Sequence, residues 1–201
     1  VGYRYFETIP GAAEKVVYPF GYGLSYTTFD VETVSAGVVN SNCTSEANKL
    51  YAKVRVTNTG KFSGKEVVQV YIAKPQGKLG KPAKELAAFE KTRELQPGES
   101  QLMILTWEIN DMASYDDLGK VKKSAYVLEA GSYDIYVGTS VRDVTKADYS
   151  YILNRDVITE QLSAKLVPTS LPKRMLADGS YEALPQSEPV DTDYSAIGNI
   201  D

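Results

Sequence analysis

Histidine is absent from all 201 residues, and cysteine occurs once, at Cys43. The first absence removes Ser-His-Asp and Cys-His nucleophile systems and imidazole metal sites from this chain. The second removes an internal disulfide and any cysteine-based metal cluster. Long apolar runs are missing as well; none could cross a bilayer as a helix, so no membrane partner is expected. Lys and Arg number 22 against 26 Asp and Glu, for a net charge of −4, and no basic cluster dominates a stretch. Nucleic acid is excluded as a partner on that ground. The chain begins with Val, and none of its stretches reads as a secretory leader. A piece of a longer protein is expected, and with the single thiol a cytoplasmic setting is favoured. Asn42-Cys43-Thr44 has the form of a glycosylation acceptor, which without secretory signals reads as chance, and Cys43 reads as an incidental thiol in a polar loop.

Tyrosine, by contrast, is abundant: 15 residues, beside five Phe and one Trp. Five of these aromatics fall within Tyr18-Pro19-Phe20-Gly21-Tyr22-Gly23-Leu24-Ser25-Tyr26-Thr27-Thr28-Phe29. Pro19 fixes its own φ and biases Tyr18 towards extended backbone. Gly21 and Gly23 permit angles denied to other residues, between rings large enough to anchor a packed surface. From Leu24 onward the chain alternates with period two, which predicts a strand beginning there. The string divides a short leader, residues 1–18, from the domain that follows. Ile9-Pro10-Gly11 breaks that leader, and its aromatics are too few to form a core of their own.

Residues from Leu24 to about Leu153 read as all-β. Leu50, Ala52, Val54 and Val56 alternate with Tyr51, Lys53, Arg55 and Thr57 as a half-buried strand ending at Asn58-Thr59-Gly60. Val68, Val70 and Ile72 form one face of the next strand, with Val67, Gln69 and Tyr71 on the other. The segment from Lys84 to Leu95 is open to helix by propensity, while its flanking turns favour a strand. After Gln96-Pro97-Gly98-Glu99, a turn by composition, Met103, Leu105, Trp107 and Ile109 line one face of a further strand. Residues 110–124 read as a polar loop, and Ala130-Gly131 separates two more strands, with Tyr133, Ile135 and Val137 inward. About seven short strands joined by Gly, Pro and Asn turns predict an antiparallel β-sandwich of the immunoglobulin or fibronectin type III kind, spanning residues 19–155. Residues 156–201, with four prolines and little periodicity, read as an extended linker or arm, with a last edge segment between Val157 and Val167.

Few residues here could carry chemistry. Asp111, Asp116 and Asp117, or Glu7 and Glu14, are the available carboxylates for acid–base work, but they read as solvated loop residues and not as a pair. Their spacing does not fit a calcium loop. The Lys- and Gly-rich stretches at 60–66 and 77–84 lack the phosphate-loop spacing and read as solvated turns. Exposed tyrosines could stack on sugar rings; most occupy alternating strand positions, where core or interface packing is the better reading. Catalytic residues, metal sites and cofactors are accordingly all read as none.

The string YPFGYGLSYTTF resembles the opening of the C-terminal fibronectin type III-like domain of glycoside hydrolase family 3 enzymes, the β-glucosidases and their relatives. VGYRYF is similar to the string that closes the α/β sandwich domain in that family. VTNTGKFSGKEVVQVYI, KPAKELAAFEK, LQPGES and YVLEAGSYDIYVGTSVRD follow in family order, so the resemblance covers residues 1 to about 145. It implies a retaining exo-glycosidase acting on terminal β-linked glucosyl or similar residues of an oligosaccharide or glucoside. Its Asp nucleophile would lie in a (β/α)8 barrel and its acid/base in the α/β sandwich domain. Neither motif occurs here, so no residue of this chain inherits those roles. What the resemblance assigns to this chain is a supporting domain whose partners are the α/β sandwich and barrel domains of the same enzyme; a homo-oligomer is allowed. Tyr18, Pro19, Phe20, Gly21, Tyr22, Gly23 and Tyr26 become the expected domain-interface residues. KRMLADGSYEALP resembles linkers of a rearranged subgroup in which the barrel follows this domain. The alternative reading is a carbohydrate-binding or adhesion β-sandwich module.

Overall fold

A computed structural model describes residues 2–39, 48–163 and 172–184. Cys43 and the Asn42-Cys43-Thr44 acceptor lie outside the described residues, as does the arm beyond Leu184. One helical turn, α1 (Tyr3–Phe6), precedes the strands β1 (Phe29–Val38), β2 (Lys49–Asn58), β3 (Val67–Ala73), β4 (Glu85–Lys91), β5 (Ser100–Glu108), β6 (Ser114–Asp116), β7 (Ala125–Leu128), β8 (Gly131–Gly138), β9 (Val144–Leu153), β10 (Val157–Gln161), β11 (Lys173–Met175) and β12 (Tyr181–Ala183).

Seven of these strands build the expected antiparallel sandwich. One sheet has the order β1-β2-β5, and the facing sheet the order β4-β3-β8-β9. Period-two alternation explains the layering, because every second side chain of a strand points to the same face. Leu50, Ala52, Val54 and Val56 of β2 are fully buried against Val68, Val70 and Ile72 of β3 and Tyr133, Ile135 and Val137 of β8, with Met103, Leu105 and Trp107 closing the layer from β5. Truncating a fully buried aliphatic in such a layer costs on the order of 2–5 kcal/mol for the larger side chains.

Strand β3 is buried on both faces: Gln69 and Tyr71, which point away from the core, are as inaccessible as Val68 and Val70. The cover on that outer face is the leader and the aromatic turn after it. The segment from Glu85 forms a strand, pairing with β3 through a bulge at Ala87 that sets Leu86 opposite Tyr71 and Ala88 opposite Val70.

Five expectations need correction. The first strand begins at Phe29 and not at Leu24; Thr27 is instead tied down by its Oγ1–H, which donates to Asn58 Oδ1 at 2.7 Å. Residues 110–124 are not all loop: a 3-10 turn (Asn110–Met112) leads into β6, which joins β7 and β10 in a small third sheet. Asp116 is not solvated but fully buried, because four backbone N–H groups close around it. The stretch 77–84 is not a solvated turn either. Lys81 is buried there in an ion pair with Glu129, whose carboxylate also accepts the Lys78 N–H at 2.6 Å. Within the arm, β11 and β12 form a hairpin that the lack of periodicity does not foretell.

Candidate functional site

Pro19 to Tyr22 close a tight turn, with the Tyr22 N–H donating to the Pro19 carbonyl at 3.0 Å. Gly21 occupies its third position at φ +83, the left-handed angle that this turn type reserves for glycine. A Cβ on Gly21 would also collide with the side-chain amide of Gln69. That amide is committed: Nε2 donates to the Gly21 carbonyl at 3.2 Å and the Thr139 carbonyl at 2.6 Å, and Oε1 accepts the Tyr71 hydroxyl at 2.5 Å. The Val141 N–H donates to the Phe20 carbonyl at 2.9 Å. The turn is thus bolted to the β3–β8 face by its backbone. Its rings are left to point elsewhere. Gly23 differs from the expectation, since its φ is not positive and nothing lies near a Cβ placed there.

The leader packs on this same face. Tyr3 stacks on Phe20 with centroids 4.3 Å apart, meets Tyr71 edge-on, and accepts the Leu86 N–H on its hydroxyl at 2.9 Å. The Arg142 guanidinium grips Glu7 through Nε and Nη2, the shorter contact being 2.8 Å, and Nη2 also reaches the Ala13 carbonyl. The Ala83 N–H donates to Thr8 Oγ1 at 2.8 Å, and Arg4 lies 3.3 Å from Glu85. Burial pushes the Tyr71 phenol up, with Tyr3 and Glu7 adding to it, so it stays un-ionised. Tyr3 and Gln69 are the residues that sequence reasoning missed. Gln69 had a signal, an amide among valines, whereas Tyr3 had none that singled it out.

Of the expected interface residues, the structure brings Tyr18 and Tyr22 together as a stacked pair, centroids 5.2 Å apart, and Phe20 onto Tyr3. It leaves Tyr26 by itself, 95% exposed, beside Leu24 at 89%. Val17, Phe20, Tyr22 and Phe89 also stand exposed. Phe20, Gly21, Val67, Gln69, Leu86 and Phe89 line a shallow cleft between the turn and β4. Monomeric surfaces seldom carry so many large apolar side chains in one run, and such patches mark contact with another surface.

Asn58 fixes the floor beneath Thr27. Fully buried, it donates to the Phe62 and Leu95 carbonyls at 2.8 Å each and accepts from Thr27 and from the Gly60 N–H. All four of its side-chain bonds are made, which explains why an amide can sit there.

None of the carboxylates considered for catalysis forms a pair. Asp116 accepts from Gly119, Lys120, Val121 and Lys122; burial acts to raise its carboxyl, and those four backbone donors outweigh it and hold it below the usual range. Asp117 is bound to Arg174, and Glu7 to Arg142. Among the described residues no three of His, Cys, Asp and Glu gather where they could hold a metal ion.

A three-plus-four antiparallel sandwich backed by an aromatic turn defines a fibronectin type III-like domain, and residues 66–141 match the family of that description. β-Glucosidase A of Butyrivibrio fibrisolvens is 62% identical over 205 aligned residues, spanning 98% of this chain and 25% of that protein. The β-glucosidase of Ruminococcus albus is 43% identical over 94% of this chain and 19% of its own length. Among solved structures, a β-glucosidase from Paenibacillus barengoltzii superposes on 94% of the chain and 21% of its own, with a TM-score of 0.77 at 44% identity. Residues 66–141 are a fibronectin type III-like domain, and the chain as a whole matches the corresponding region of glycoside hydrolase family 3 β-glucosidases. It spans about a quarter or less of the length of these relatives.

Proposed function

We propose that this chain is the non-catalytic supporting domain of a β-glucosidase-like glycosidase acting on terminal β-linked glucosyl residues. Tyr18, Pro19, Phe20, Gly21, Tyr22, Gly23 and Tyr26 dock on the α/β sandwich and barrel domains of the same enzyme. Residues 1–18 are the end of the preceding α/β domain, residues 19–155 the support, and residues 156–201 the connection onward. One observation carries this reading: the run of large apolar side chains from Val17 to Tyr26, held from behind by backbone and Gln69 hydrogen bonds and left exposed among the described residues. The reach of the relatives supports a role for the arm, since the alignments with the Butyrivibrio and Ruminococcus enzymes take in 98% and 94% of the chain, against 72% for the Kluyveromyces marxianus β-glucosidase.

Tyr26 supplies the test. Because it is 95% exposed here, Tyr26→Ser removes almost nothing from the chain itself. In the full-length protein it uncovers a docked ring and costs about 2 kcal/mol, read as a lower Tm and a lower rate of aryl β-glucoside hydrolysis. A full-length Tyr26→Ser protein with unaltered melting and turnover would remove the docking role.

A further inference from the structure

The hairpin formed by β11 and β12 is too short to hold itself. Two strands of three residues are marginal in water without a surface to lie on. Its surface is specific. Arg174 and Glu182, direct cross-strand partners, form an ion pair with each other through the Arg174 Nε and Nη2 groups. Arg174 Nη1 also donates to Asp117 Oδ1 at 2.7 Å, and Lys120 Nζ to Glu182 Oε2 at 2.7 Å. The four charges alternate in sign: Asp117, Arg174, Glu182, Lys120.

Two of the four stand on the sandwich side, and the loop that carries them is set in place by Asp116. Its carboxylate binds the backbone N–H of Gly119, Lys120, Val121 and Lys122, so the loop that carries Asp117 and Lys120 is held by bonds of its own that do not involve the hairpin. The hairpin's own turn is tight: Gly179, at φ +86, donates to the Leu176 carbonyl at 3.0 Å, and Asp178 accepts from Ser180. That turn approaches the leader, where a Cβ on Gly179 would stand 3.5 Å from Ile9 Cγ2. Hairpin residues 174–177 and leader residues Arg4, Tyr5, Thr8 and Ile9 share the wall of one cleft. The segment that enters the sandwich and the segment that leaves it therefore lie side by side.

We propose that the β11–β12 hairpin is an electrostatic clasp: docking Arg174 and Glu182 on Asp117 and Lys120, and its turn on Ile9, it fixes the direction in which the chain leaves the sandwich, alongside the leader. The clasp stands on these contacts and not on the docking of the aromatic turn.

Its test is a charge inversion in the full-length protein, read by hydrogen exchange at the Leu176 and Gly179 amides. Reversing the sandwich side (Asp117→Lys with Lys120→Asp) sets like charges against the hairpin, as does reversing the hairpin side (Arg174→Asp with Glu182→Lys). Two repelled pairs in place of two attracted ones speed exchange about tenfold in either variant. Inverting all four charges restores the alternation and returns exchange close to the native rate, a recovery that a merely damaged fold would not give. Native-like exchange in both two-site variants overturns the clasp. So does a four-site variant that exchanges as fast as they do.

Discussion

The ring of Tyr3 lies flat on the ring of Phe20, planes inclined by 16° and centroids 4.3 Å apart, joining the leader to the aromatic turn. Tyr3 also touches buried Tyr71 edge-on, so the stack continues into the outer face of β3. Phe20 remains partly exposed on its other side. Phe20→Ala should therefore cost about 2 kcal/mol from lost apolar burial and ring stacking, with Phe20→Leu recovering part of it. Chemical denaturation measures both; equal stability of the alanine variant and the parent would mean that the stack contributes nothing.

Gly21 is constrained twice over, by its left-handed φ of +83 and by the Gln69 side chain where a Cβ would go. Gly21→Ala should destabilise by about 2–3 kcal/mol, adding backbone strain to overpacking. The same change at Gly23, which has neither constraint within this chain, should leave the sandwich's unfolding midpoint within experimental error. Equal effects at the two glycines would contradict the turn geometry described for Gly21.

Much of this fold was legible because alternation reports burial directly. Leu50 to Val56 declare their face without help from the rest of the chain, whereas Gln69 and Tyr71, read as the outer face of β3, are buried as well because the leader and the turn cover them. The Pro19–Tyr22 turn was legible for a similar reason, since proline and glycine restrict backbone angles locally. What stayed hidden depends on distant partners. Asp116 looks like any loop aspartate until the chain from Gly119 to Lys122 folds around it. Lys81, between Gly80 and Pro82, looks solvated because its partner Glu129 lies 48 residues away. The sheet of β6, β7 and β10 joins short segments with weak patterns of their own, so only tertiary pairing reveals it.

Asp116 makes the acid limb of stability predictable. Its carboxyl titrates below the ordinary aspartate value in the fold, burial opposing and four backbone N–H donors prevailing. A depressed folded pKa means a contribution fully present above the unfolded value, about 3.9, and lost as pH falls through the lower folded one. Asp116→Asn should thus be destabilised by about 2–3 kcal/mol at neutral pH, because its one amide oxygen keeps two of the four N–H donors while its NH2 group faces the other two. Its stability should also fall less steeply than the parent's below about pH 4. Denaturation midpoints taken from neutral pH down to the acid limb decide it, and parallel curves would rule out the assigned role.

Lys81 and Glu129 form an ion pair with almost no exposure, and each has further ties: Lys81 Nζ donates to the Pro75 carbonyl at 2.9 Å, and Glu129 accepts the Lys78 and Leu79 backbone N–H groups. Removing one member leaves the other charge buried without its counter-ion, which costs more than the pair contributes. Lys81→Met should lose about 3–5 kcal/mol, and Glu129→Gln a comparable amount, since its one amide oxygen can accept only one of the two N–H groups that the two carboxylate oxygens accept. The double variant Lys81→Met/Glu129→Gln removes both charges and leaves neither buried without its counter-ion, so it should be more stable than the sum of the single losses implies. A double-mutant cycle by denaturant unfolding gives the coupling directly. Additive losses would show that the two side chains, although adjacent, are stabilised independently by their backbone partners.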